Sequence, residues 1–62
     1  MESEYYIWSI EHNAWWRSDR EGYTPHLFLA GLYGQEEAAA IVESANEHGT
    51  FNECMIPKDF FV

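Results

Sequence analysis

This 62-residue chain holds one cysteine, two prolines, three basic residues and no long apolar run. The lone thiol, Cys54, excludes an internal disulfide, the usual staple of small secreted domains, and fits a reducing compartment. Arg17, Arg20 and Lys58 stand against eleven acids, a net charge of −8. Phosphate backbones repel such a chain, so direct nucleic-acid binding is disfavoured. No stretch approaches the roughly 18 apolar residues of a membrane span, so no membrane partner is expected. The opening "MESEYY" lacks the basic-then-apolar order of a signal peptide, and the cytoplasm is the expected location. Repeats, linkers, a phosphate-cradling glycine loop and a recognisable catalytic triad are all missing, so no enzyme is expected.

Aromatic residues are plentiful. Three tryptophans, four tyrosines and four phenylalanines can each bury roughly 150–250 Å². That favours a folded single domain over 1–62, with 5–57 as its ordered part and 58–62 as an apolar tail. "YYIWSIEH" (5–12) alternates like a strand with apolar groups on both faces: Tyr6, Trp8 and Ile10 on one, Tyr5, Ile7 and Ser9 on the other. Its centre should therefore be covered on both sides. His12 and Asn13 suit a tight turn, and "AWWRS" (14–18) reads as an antiparallel second strand. "TPHLFLAG" predicts a short helix after Thr24, with Thr24 as cap, Pro25 at the first position and Gly31 closing the end.

From Gln35 to His48 the pattern is that of a long amphipathic helix. Ala38, Ile41, Val42 and Ala45 form its apolar stripe, Gly34 its N-cap, Glu36 and Glu37 its acidic first turn. His48 and Gly49 supply the stop. "FNECMIP" (51–57) reads as a last strand, with Phe51, Glu53 and Met55 on one face and Asn52, Cys54 and Ile56 on the other. The expected class is α+β: an antiparallel sheet of about three strands packed on one long helix.

Two candidate binding surfaces follow. Neighbours on a strand point to opposite faces, so Trp15 and Trp16 cannot share one core. Trp16, in step with Ala14, is expected under the helix; Trp15, with Arg17, is expected to face a partner or a second copy. Arginine on indole is a common hot-spot pairing, though Arg17 could equally shield Trp15. On the helix, Glu36, Glu43 and Glu47 fall within about 40° of one another, at roughly 10 and 6 Å along the axis. Such a carboxylate row can imitate the phosphates that a basic groove expects. An ordinary solvated helix face has the same look, and solubility alone would also account for the charge.

Other chemistries are weaker. His12, His26, His48 and Cys54 lack the close pairing of zinc ligands, so neither metal nor cofactor is expected. Cys54 in an alternating strand reads as a small buried apolar residue, and Glu11 and His12 face opposite ways on a strand.

"IWSIEHNAWW", "GYT" and "AGLYGQEEAAAIVESAN", taken in order from Ile7 to Asn46, resemble a group of short bacteriophage and prophage proteins. Their pattern is I-W-S-x-E-H-x-A-W-W, G-Y-T, A-G-x-Y-x-x-E-E-A, A-N. Gly34 departs from the serine or threonine of that pattern, and "LFL" (27–29) from a more polar segment, which makes Phe28 a candidate contact. The resemblance implies a phage or prophage setting and carries no catalytic residue. The expected function is a stoichiometric binder that inhibits or modulates a bacterial protein with a basic surface, a defence or nucleic-acid-binding protein among the possibilities. It would act through Glu36, Glu43 and Glu47 with Trp15, Arg17 and Phe28. Self-association as a dimer is expected, since an apolar fraction of 47% is generous for a 62-residue surface to hide, with "LFL" and "DFF" as the contacts. The alternatives are a homodimeric accessory protein whose aromatic surplus is its own interface, or a small-ligand or metal module around His12, the tryptophans and Cys54.

Overall fold

The computed structural model describes residues 3–49 and 51–61, and of His48 the backbone alone. The His48 side chain and Val62 of the tail thus lie outside the described residues. Among the described residues there are five strands, one α-helix and four 3-10 turns: β1 (Glu4–Ser9), β2 (Ala14–Trp16), β3 (Tyr23–Thr24), β4 (Tyr33–Gly34), α1 (Gln35–Ala45) and β5 (Glu53–Pro57). The class is α+β with an antiparallel sheet, but the sheet has five strands where about three were expected. The two additional strands are two residues long each, too short for an alternation pattern to reveal.

β1 is the centre. Along one edge it pairs with β5 from Tyr5↔Pro57 to Ser9↔Glu53. Its other edge is divided, with β2 pairing at Trp8↔Trp15 and Ser9↔Ala14, and β4 at Glu4↔Gly34 and Tyr5↔Tyr33. β3 lies outside β2. The handover from β2 to β4 explains Gly31. Its N–H donates to the Trp16 carbonyl at 2.9 Å, and a Cβ there would lie 2.5 Å from the Ser18 Cα and N. Gly31 is therefore a point of close backbone approach, and it closes no helix.

The expected helix after Thr24 is replaced by a single 3-10 turn, Leu27–Leu29, with His26 as its N-cap. Thr24 belongs to β3 instead, and its Oγ1 accepts the His26 N–H at 3.1 Å in a local turn. β1 stops at Ser9 and β2 at Trp16, short of the expected 12 and 18, and Asn13 does take the left-handed conformation (φ 54) the tight turn requires. β5 starts at Glu53, two residues later than expected.

α1 packs against β1, β5 and β4. Ala38 and Ile41 are buried, Val42 and Ala45 half-buried, as the stripe predicted, and Gly34 is the N-cap. The helix ends at Ala45, one turn before the expected His48, because two asparagines take over its C-terminal bonding. Asn52 Nδ2 donates to the Ala45 carbonyl at 3.0 Å, while Asn46 Oδ1 accepts the Asn52 N–H at 2.7 Å. A 3-10 turn, Glu47–Gly49, follows, with Gly49 at φ 78. The core cluster is Ile7, Tyr33, Ala38 and Ile41, flanked by Tyr5, Trp16, Val42 and Met55. Among the described residues no helix is long and apolar enough to cross a membrane.

Candidate functional site

Strand parity sorts the aromatic residues into two layers. Ile7, Tyr5, Met55 and Trp16 face α1. Tyr6 and Trp8, one step out of phase with Ile7, must face the opposite way, and so must their pairing partners Ile56, Cys54 and Trp15. Adjacent tryptophans thus belong to different surfaces. Trp16 packs against the helix-covered core from β2, edge-on to Tyr33 at 6.4 Å and to Tyr23 at 5.8 Å. Trp15 meets Trp8 at 4.8 Å and Tyr6 at 5.8 Å on the other face. The tail 58–61 is a 3-10 turn that folds back over this second layer, with the Phe61 ring 5.8 Å from Trp15 and 5.9 Å from Tyr6. Phe60, 70% exposed, stands clear of it.

On the helix side, one end of the sheet holds a compact polar group. Glu53 is only 4% exposed, and its carboxylate accepts the Trp16 indole N–H at 2.9 Å. Ser9, pairing with Glu53 across the strands and fully buried, accepts the His12 backbone N–H at 3.1 Å. Its Oγ lies 3.0 Å from His12 Nδ1. The His12 ring stacks on Tyr23 at 3.8 Å, 14° from parallel. Burial, then the charges of Glu53 and Glu11, push the Tyr23 phenol above its ordinary value. A buried serine beside a histidine and a glutamate superficially resembles a hydrolytic triad. Here the Ser9 hydroxyl is shut away from any substrate, and the carboxylate is occupied by an indole. The geometry is that of a structural hydrogen-bond cluster at the β1–β2 turn.

Glu53 had no role in the sequence reading. The available signal was its place in the alternation Phe51, Glu53, Met55, which sets a carboxylate in a core-facing slot and so demands a donor.

Tyr33 performs a similar structural task in the next loop. Its buried hydroxyl donates to the Arg17 carbonyl and accepts the Arg20 N–H at 3.0 Å. It thereby pins a turn in which Asp19 and Arg20 both hold left-handed angles (φ 57 and 58). Burial is the main cause of its raised phenol pKa.

The candidate contact residues do not form one surface. Glu36 and Glu43 are exposed on α1. Glu47 is exposed too, but it lies in the 3-10 turn beyond the helix end, so the three-membered helical row is reduced to two helical members and a neighbour. Glu37 pairs with Arg20 at 3.7 Å, and Lys58 with Glu4 at 3.3 Å. Trp15 sits across the sheet from α1, half-buried. Arg17, just beyond β2, is exposed, and Phe28, on the 3-10 turn, is 83% exposed with its ring beside His26. Trp15 and the acidic helix therefore cannot engage one flat partner together.

The sequence's metal candidates are likewise dispersed. His12 is engaged by Ser9 and Tyr23, His26 lies against Phe28, and Cys54 is on the face away from α1. Among the described residues no three His, Cys, Asp or Glu side chains gather as a metal site would require. Burial and the Glu53 charge push the Cys54 thiol up, away from the reactive thiolate. Comparison with protein-family models, with curated proteins and with solved structures returned no match to this chain.

Proposed function

We propose that this chain is a small acidic binding protein of the kind phages and prophages deploy in the bacterial cytoplasm. It acts as a stoichiometric inhibitor or modulator of a host protein with a basic surface, and not as an enzyme. The contact is the outer side of α1, where Glu36 and Glu43 project away from the Ala38 and Ile41 stripe and Glu47 follows at the helix end. The observation that carries this reading is the separation of charge from apolar surface. Carboxylates occupy the solvent side of α1, while the opposite side of the sheet is aromatic. Two of the three bases, Arg20 and Lys58, pair with Glu37 and Glu4, and the chain keeps a net charge of −8.

A target built to bind nucleic acid offers the complementary basic groove, and its phosphates are what the carboxylates imitate. Phe28, the most exposed of the large apolar side chains described, is a separate apolar contact on the 27–29 turn, apart from the acidic row.

The test is capture from bacterial lysate with the wild-type chain and with E36K/E43K, each at low and moderate salt. The proposal expects one or a few basic proteins retained by the wild type. The double variant should lose them by tenfold or more, and salt should weaken them. Equal capture by the variant, or no partner at either salt, contradicts it.

A further inference from the structure

We propose that His12 is a pH-operated switch at the β1–β2 turn: a second proton on its ring turns the Ser9 hydroxyl from His12 to the buried Glu53 carboxylate. Ser9 Oγ accepts the His12 backbone N–H at 3.1 Å and lies 3.0 Å from His12 Nδ1. A hydroxyl has one proton to give, and Ser9 is fully buried, so that proton needs a protein acceptor. Nδ1 is the acceptor at hydrogen-bond distance, which fixes the neutral ring as the Nε2–H tautomer. Protonation from solvent, to which His12 is exposed, puts a hydrogen on Nδ1 as well. Nδ1 then donates to Oγ, whose two lone pairs are now both taken by N–H groups. The hydroxyl proton must go elsewhere.

Strand register supplies the new acceptor. Ser9 and Glu53 are direct partners, and the bond from the Ile10 N–H to the Asn52 carbonyl makes theirs a non-hydrogen-bonded pair. Side chains approach most closely in such pairs, whose Cα atoms lie about 4.5 Å apart. Both side chains are on the α1 side of the sheet, in step with Ile7 and Met55. Glu53 holds the Trp16 indole N–H through Oε2 at 2.9 Å, and a carboxylate has room for a further donor. A rotamer change at Ser9 makes the new bond. The titratable groups around the ring do not oppose it. Tyr23 of β3 stacks on the imidazole, and Glu53 of β5 and Glu11 of the turn itself are near enough to act on that phenol. A phenol face and two carboxylates do not repel an imidazolium. In the basic form Glu53 has the indole, and Ser9 serves His12. In the acid form one chain of bonds runs through His12, Ser9, Glu53 and Trp16, from an exposed ring to the core-facing tryptophan. The switch is independent of what the acidic helix binds.

An NMR titration of the whole chain from about pH 8 to about pH 5, the range in which an imidazole gains its proton, tests it. Ring nitrogen shifts should show neutral His12 protonated on Nε2. As His12 titrates, the Trp16 indole N–H and the Glu53 carboxyl carbon resonances should move on the same curve. In Ser9→Ala the His12 ring should still titrate while the Trp16 response is lost, because the relay is cut and the charge is not. If circular dichroism shows Ser9→Ala unfolded, the wild-type tautomer and the Glu53 response decide. A neutral ring protonated on Nδ1 overturns the proposal. So does a Trp16 or Glu53 signal that stays still in the wild type, or a Trp16 signal that moves as far in folded Ser9→Ala.

Discussion

Asn46→Ala should be among the most damaging single substitutions outside the apolar core. The Asn46 amide serves the outer edge of β5 as a substitute strand. Nδ2 donates to the Glu53 carbonyl at 2.9 Å, and Oδ1 accepts the Glu53 N–H at 2.9 Å and the Asn52 N–H at 2.7 Å. The hydrogen-bond phase of β5 shows why this matters. Ile10 N–H bonds to the Asn52 carbonyl, so that carbonyl and the backbone groups of Cys54 and Ile56 turn towards β1, whereas the Asn52 N–H and the backbone groups of Glu53, Met55 and Pro57 turn outward. Asn46 covers Glu53, and Pro57 has no N–H to expose.

Three bonds at about 0.5–1.5 kcal/mol each, discounted because water reaches the vacated edge, give a loss of about 2–3 kcal/mol. For a domain of this size that lowers Tm by roughly 10–20 °C. Urea titration followed by tryptophan fluorescence measures it, with Asn52→Ala as comparison. That variant removes one side-chain bond, to Ala45, and should lose about 0.5–1.5 kcal/mol. Asn46→Ala within 0.5 kcal/mol of wild type, or no worse than Asn52→Ala, would refute the edge-cover argument.

Other substitutions probe the remaining structural points. Tyr33→Phe strands the Arg17 carbonyl and Arg20 N–H and should lose about 1–3 kcal/mol in the same titration. Gly31→Ala forces a methyl into the Ser18 backbone, and about 1–3 kcal/mol of overpacking is expected, read as a lower urea midpoint at unchanged slope. Trp16→Phe keeps a ring but leaves the buried Glu53 carboxylate without its indole donor, and should cost about 1–3 kcal/mol, whereas Trp15→Phe should cost less than half as much. Cys54, Tyr23 and Tyr33 all have raised pKa values, so the unfolded chain ionises first as pH rises. Their stabilising contribution is complete below about pH 8 and falls through the alkaline range; thermal melts from pH 7 to pH 11 should decline, and a flat profile would contradict the burial of Tyr33 and the partial burial of Cys54.

The long periodic elements were legible in the sequence, and the short ones were not. Ala38, Ile41, Val42 and Ala45 announced α1, and the two-sided alternation of Tyr5 to Ser9 announced a central strand. β3 and β4 are two residues each, fixed by pairing with β2 and β1, and no local pattern encodes that. The misread helix after Thr24 had sound capping residues, but seven residues nucleate a helix poorly, and Gly31 is required for backbone approach to Ser18. The end of α1 was misplaced because Asn46 and Asn52 act on each other across the turn, a non-local bond that propensity cannot express. The division of Trp15 from Trp16 followed from strand geometry alone. What Trp15 faces did not: Phe61 reaches it from the far end of the chain. Glu53 was overlooked because its partner is 37 residues away.

Everything proposed for the two sides of the molecule depends on those neighbouring tryptophans belonging to different surfaces. A NOESY spectrum of the dilute protein tests this directly. Contacts from the Trp15 ring should run to Tyr6, Trp8 and Phe61, and from the Trp16 ring to Tyr23 and Tyr33. Contacts from Trp16 to Phe61, or from Trp15 to Tyr33, would contradict the assignment of the open face and the proposals that rest on it.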